Sequence, residues 1–127
     1  MKTLLKLEEL AELLLAVFVF AHLPYAWWVL PATFLLPDLS MLGYLAGPRV
    51  GAASYNLAHH KALAIVVGVA GWALGLPLLV LAGTVLLFHS AFDRLLGYGL
   101  KYATGFQDTH LGRAGKEAAA TATPALA

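Results

Sequence analysis

Four apolar stretches, each about as long as a bilayer crossing, fill most of this chain. A transmembrane helix needs about 20 predominantly apolar residues. Such stretches run from Leu4 to Leu23, from the turn HLPYAWW to about Leu45, from Pro48 to about Leu74, and from Pro77 to about Tyr102. Charged residues make up 12% of the 127, where a soluble domain carries about 25%. Backbone polar groups in lipid must be satisfied within the segment, which selects helices. The expected fold is all-α, an integral membrane bundle of four transmembrane helices. A single domain covers residues 1–113, and a low-complexity tail over 114–127 is expected to be disordered.

Lys2 and Lys6 precede the first apolar run, as in a signal peptide, but Glu8, Glu9 and Glu12 lie inside that run and three more segments follow. It reads as a first membrane helix. Tyr25, Trp27 and Trp28 suit an interfacial aromatic belt. Pro31 and Pro37 free carbonyls in the second helix, which marks it as packed and bent. Gly51, Ala52, Gly68 and Gly71 permit close approach of the third. Lys2, Lys6, Arg49, Lys101, Arg113 and Lys116 all fall at one end of the four-helix arrangement, which places both termini in the cytoplasm.

The net charge of +1 is spread over scattered Lys and Arg. That excludes nucleic acid as a partner, since phosphate binding needs a clustered basic face. With no Cys, a metal would have to be held by His and carboxylates.

At 1.5 Å per residue, depth follows from position along each helix. Measured from the cytoplasmic end, Glu8 and Glu12 lie roughly 6 and 12 Å deep, Asp38 roughly 10 Å, Asn56 and His59 roughly 12–16 Å, and His89 and Asp93 roughly 12–18 Å. Intramembrane charges are costly and turn inward to find partners. His89 and Asp93, four residues apart, share a face, and Tyr55, Asn56, His59 and His60 stack along another helix. His and carboxylate groups converging from several helices build metal sites in bundle cores. The segment Asp108 to His110 is placed to fold over the cytoplasmic mouth. A metal-free alternative pairs Asp93 with Arg94, or Glu12 with Lys61. Asp38 has the alternative of bonding local backbone donors, His22 that of an interfacial side chain, and Glu9 that of facing headgroups. His59 and His60 point about 100° apart, so one of them serves the site; His59 is favoured.

The motifs LPDLSMLGY (36–44), YNLAHH (55–60), FHSAFDRLLGYGLKY (88–102) and GFQDTHLG (105–112) resemble an uncharacterised bacterial family of small multi-pass membrane proteins, classed as a domain of unknown function. The resemblance covers Leu5 to Gly112. It implies a location in the inner membrane, and its motif residues fall on Glu8, Asp38, Tyr55, Asn56, His59, His89, Asp93, Arg94, Lys101, Asp108 and His110. A looser pattern of Pro-Asp, His, His and Asp is similar to inner-membrane metal-dependent hydrolases.

The resulting expectation is a metal-dependent membrane hydrolase acting on a lipid-like substrate. Its divalent ion, zinc or iron by ligand type, is held by residues among Glu8, Asp38, His59, His89, Asp93 and His110, with Glu12 or Asp108 as general base. No GxSxG elbow is present for serine chemistry. The alternatives are a proton- or ion-coupled transporter, which would need a homodimer to enclose a path, haem ligation by His59 and His89, or a metal-free structural role.

Overall fold

Proline and glycine set the helix boundaries. The computed structural model describes residues 1–113. In it α1 spans Lys2–Ala21, α2 Val29–Thr33, a 3-10 helix Leu36–Ala46, α3 Pro48–Ala58, α4 Lys61–Leu74 and α5 Pro77–Leu96. Pro48 and Pro77 open α3 and α5, where a missing N–H costs nothing. Gly97, at φ 93°, ends α5. That left-handed geometry lets Tyr98 N–H reach the Asp93 carbonyl at 2.8 Å, closing the helix with orphan carbonyls satisfied. Two-residue strands, β1 (Asp108–Thr109) and β2 (Gly112–Arg113), pair antiparallel in the segment that follows.

The α5 helix is the hub. It packs along both α1 and α4, while the 3-10 helix lies against α3. Gly83 meets Gly68 so closely that a Cβ at Gly83 would lie 2.5 Å from the Gly68 nitrogen, so backbone contact replaces side-chain contact at this crossing. Phe20, Leu30, Leu81 and Val85 form the apolar core beside Tyr25 and Phe88. Outside it, Leu14, Phe18, Val66, Trp72 and Leu78 are each more than half exposed. A belt of that kind is a surface made for lipid or a partner rather than water.

The all-α expectation holds, but the four continuous spans do not. Two helical stretches are long and apolar enough to cross a membrane, Val29–Ala46 and Pro77–Leu96, with a third if Pro48–Ala58 and Lys61–Leu74, bent by 44°, form one broken span. α1 has the length, but Lys2, Lys6, Glu8, Glu9 and Glu12 crowd its first three turns. The second expected helix breaks after Thr33 and continues as a 3-10 helix, with Pro37 in its first turn. The third breaks at His59–His60, and the fourth ends at Leu96 rather than Tyr102. The tail expected to be disordered, 114–127, lies outside the described residues.

Candidate metal centre

The two helix breaks build the site. In an α-helix the N–H of Asp38 would bond the Phe34 carbonyl. In the tighter 3-10 geometry it bonds Leu35 instead, at 3.1 Å, and the Phe34 carbonyl is released. His89, buried on α5, takes that carbonyl with Nδ1 at 2.6 Å. At the second break, His59 ends α3 and its Nδ1 bonds the Tyr55 carbonyl at 2.8 Å. The His59 carbonyl, left without a helical partner, accepts from Arg94 Nη2 at 3.2 Å.

A carbonyl only accepts, so both imidazoles carry their proton on Nδ1 and turn Nε2 the other way. Both Nε2 atoms face the same two carboxylates. Asp38 Oδ1 lies 3.3 Å from His59 Nε2 and 3.1 Å from His89 Nε2. Asp93 Oδ2 lies 3.6 and 3.5 Å from the same two atoms. The four ligand atoms all fall within 4.8 Å of one another. The histidines are almost wholly buried, whereas the Asp38 side chain is 30% exposed, so the cluster opens on the Asp38 side.

A second layer holds these groups in place. The Tyr55 hydroxyl donates to Asp93 Oδ2 at 3.1 Å, and its ring stacks on His59 with centroids 3.8 Å apart. Phe34 packs against the His89 ring. Asn56 clasps the segment after α5: its amide oxygen accepts from Lys101 N–H at 2.6 Å, and its NH₂ donates to the Lys101 carbonyl at 2.7 Å. Lys101 is thereby folded inward, 4% exposed, with Nζ bonded to the Phe106 carbonyl and lying over the Tyr55 and Phe106 rings. Burial holds its ammonium pKa below the ordinary lysine value.

Of the metal-ligand and general-base candidates singled out in the sequence, Asp38, His59, His89 and Asp93 come together, and Glu8, Glu12, Asp108 and His110 do not join them. Glu12 is paired with Lys61 at 2.8 Å, and Glu9 pairs with the same ammonium. Glu8 is exposed on α1. Asp108 accepts from Thr104 at 2.7 Å, and exposed His110 accepts from Leu100 N–H through Nδ1 at 2.8 Å. His60 is exposed at the start of α4, and His22 is exposed beside Phe18. Asp93 and Arg94 are not ion-paired: the guanidinium bonds the Tyr98 and His59 carbonyls. The Phe34 carbonyl had no sequence signal beyond the nearby prolines, because a backbone acceptor carries no residue identity.

Fold and site together define a helical protein in which helices long and apolar enough to cross a membrane surround a buried His/Asp cluster capable of holding a metal ion. The profile of the family described as Domain of unknown function (DUF4260) matches residues 2–114, and the chain belongs to that family. No curated protein and no solved structure matches it significantly.

Proposed function

We propose that this is a multi-pass inner-membrane protein in which Asp38, His59, His89 and Asp93 hold one divalent ion, zinc or iron, and that the ion serves hydrolysis of an ester or phosphoester in a lipid-like substrate. One observation carries the reading: both Nε2 lone pairs face the same two carboxylates because both Nδ1 protons are committed to backbone carbonyls. Four acceptors at such range repel unless protons or a cation lie between them. A tetrahedral ion with bonds of about 2.0–2.2 Å sets its ligand atoms about 3.3–3.6 Å apart, and the four N–O separations here are 3.1, 3.3, 3.5 and 3.6 Å. Imidazoles anchored by Nδ1–H to carbonyls are the usual outer support of such ligands.

A divalent ion held there would lower the pKa of a water, or polarise a carbonyl or phosphoryl oxygen, taken on as a fifth ligand on the open Asp38 side. Tyr55 orients Asp93, and Asp38, the most exposed ligand, has a second oxygen free to accept a proton. With Glu12 and Asp108 engaged elsewhere, Asp38 takes the general-base role. α1 is the fourth crossing: pairing with Lys61 reduces the insertion cost of Glu9 and Glu12, and the helix turns Leu14, Leu15 and Phe18 outward. Both termini then lie in the cytoplasm, with the site towards that face. A reporter fused after Ala127 is active in its cytoplasmic form, and periplasmic activity overturns the topology.

Elemental analysis of wild type and His89→Ala tests the site. Wild type retains a stoichiometric divalent metal and hydrolyses a chromogenic ester or phosphodiester in a chelator-sensitive way, and the variant does neither. Metal-free wild type whose thermal stability ignores exhaustive chelation defeats the metal reading. Because four protein ligands also fill a closed structural shell, metal retained without turnover assigns the ion to structure rather than hydrolysis.

A further inference from the structure

A cavity lies between the start of α1, the start of α4 and the end of α5, with His60 and Lys61 in its wall. It measures about 610 Å³. Lys2, Lys6, Lys61 and Arg94 line it against a single carboxylate, Glu9, while Leu5, Leu100 and Leu111 supply apolar wall. Lys61 is neutralised by Glu9 and Glu12, whereas among the described residues no carboxylate is in ion-pair contact with the other three cations. Arg94 is the telling one. It is 8% exposed, its described hydrogen bonds go to the neutral carbonyls of Tyr98 and His59, and among the described residues no carboxylate is in ion-pair contact with it. Glu9, Asp93 and Glu12 act on its charge only from a distance, and a buried guanidinium without a directly paired anion is a costly state. Its planar fork is also the group best shaped to take a phosphate.

We propose that this cavity binds the phosphate of an anionic phospholipid, with Arg94 at its floor, Lys2 and Lys6 at its mouth, and the glycerol and upper acyl chain against Leu5, Leu100 and Leu111. The amphiphile is favoured over a free phosphate because cationic and apolar walls meet in one cavity. Its place near the N-terminus of α1 sets it among the basic residues at the cytoplasmic end, where anionic headgroups attract Lys and Arg. The site stands independently of whether the Asp/His cluster holds a metal.

The test is equilibrium binding to the full chain in non-ionic detergent, using dioctanoyl phosphatidylglycerol, dioctanoyl phosphatidylcholine and sn-glycerol 3-phosphate. The anionic lipid binds about tenfold or more tighter than either of the others, and its affinity falls with added salt. Arg94→Gln weakens it by about tenfold or more, matching the loss of a charge-assisted contact. Because Arg94 also ties two carbonyls, that variant risks misfolding. The double variant Lys2→Gln/Lys6→Gln alters only exposed side chains and weakens the anionic lipid alone, with metal content and helicity unchanged. Equal affinity for the two lipids overturns the proposal, as does glycerol 3-phosphate binding as tightly as phosphatidylglycerol, or a double variant that binds like wild type.

Discussion

His89 hangs from the Phe34 carbonyl, with Nδ1 2.6 Å from the oxygen, and this bond ties the hub helix to the one place where the preceding span changes from α to 3-10 geometry. It fixes both which nitrogen carries the proton and where the other points. His59 repeats the device on α3 with the Tyr55 carbonyl. Two unrelated backbone breaks thus aim two lone pairs at one pair of aspartates.

Replacing a histidine therefore removes more than a ligand. His89→Ala is expected to abolish metal retention and to destabilise the fold by about 3–5 kcal/mol, since Asp38 and Asp93 lose their shared counter-charge in a poorly solvated site. Thermal unfolding in detergent, followed by circular dichroism with and without chelator, checks it. The wild type is destabilised by chelation and the variant is indifferent to it; chelation that affects both equally contradicts the prediction.

Tyr55 supports the cluster from outside. Tyr55→Phe keeps the ring that stacks on His59 and removes only the hydroxyl that bonds Asp93. The expected result is a metal affinity about 10–100-fold weaker with binding still measurable, read by competition with a calibrated chelator. Unchanged affinity would show that Asp93 needs no such orientation.

The convergence of Asp38, His59, His89 and Asp93 was legible in the sequence, from a common expected depth and because charged and polar groups in an apolar helix turn inward. Depth could not say which groups would find each other sideways. Glu12 shares that expected depth, yet it meets Lys61 at the start of α4, at 2.8 Å, rather than the cluster. Asp108 and His110 were expected over the mouth of the site. They lie in a short hairpin tied to residues 100–102 by backbone hydrogen bonds, with their side chains engaged by Thr104 and Leu100 rather than by the cluster. The helix breaks were half legible: Pro37 announced a disturbance, but nothing between Tyr55 and Lys61 signals that the chain bends at His59.

Lys61 with Glu9 and Glu12 is a separate network, so its removal should leave the cluster alone. Lys61→Ala is expected to cost about 1 kcal/mol or less, because these side chains are 18–37% exposed and solvent screens the pairs. Metal content stays at the wild-type level. A variant that loses metal would make this ion-pair network, rather than the bound ion, the organiser of the layer.

The contact between α4 and α5 should tolerate no added methyl. A Cβ at Gly83 would stand 2.5 Å from the Gly68 nitrogen and 2.6 Å from the Ala64 carbonyl oxygen, and these are backbone atoms that cannot rotate aside. Gly83→Ala is expected to destabilise by about 1–3 kcal/mol, even though alanine favours a helix more than glycine does. A melting temperature equal to or above wild type would show that the helices separate without cost.

Asn56 is the hinge pin of the segment after α5. Its side-chain amide makes the two hydrogen bonds a neighbouring strand would make, one to each side of the Lys101 peptide backbone. That clasp positions Lys101 inward over the Tyr55 ring. Asn56→Ala leaves a buried donor and acceptor without partners, a loss of about 1–3 kcal/mol. Most of α5 is held by α1 and α4 instead, so the damage should stay local. Limited proteolysis is expected to cleave the variant between Gly97 and Arg113 faster than wild type, while the helical content is retained. Asn56→Asp keeps the acceptor for the Lys101 N–H but cannot donate to its carbonyl, and should fall between the two. Equal cleavage of all three proteins would mean that the segment is held by Lys101 and Thr109 alone.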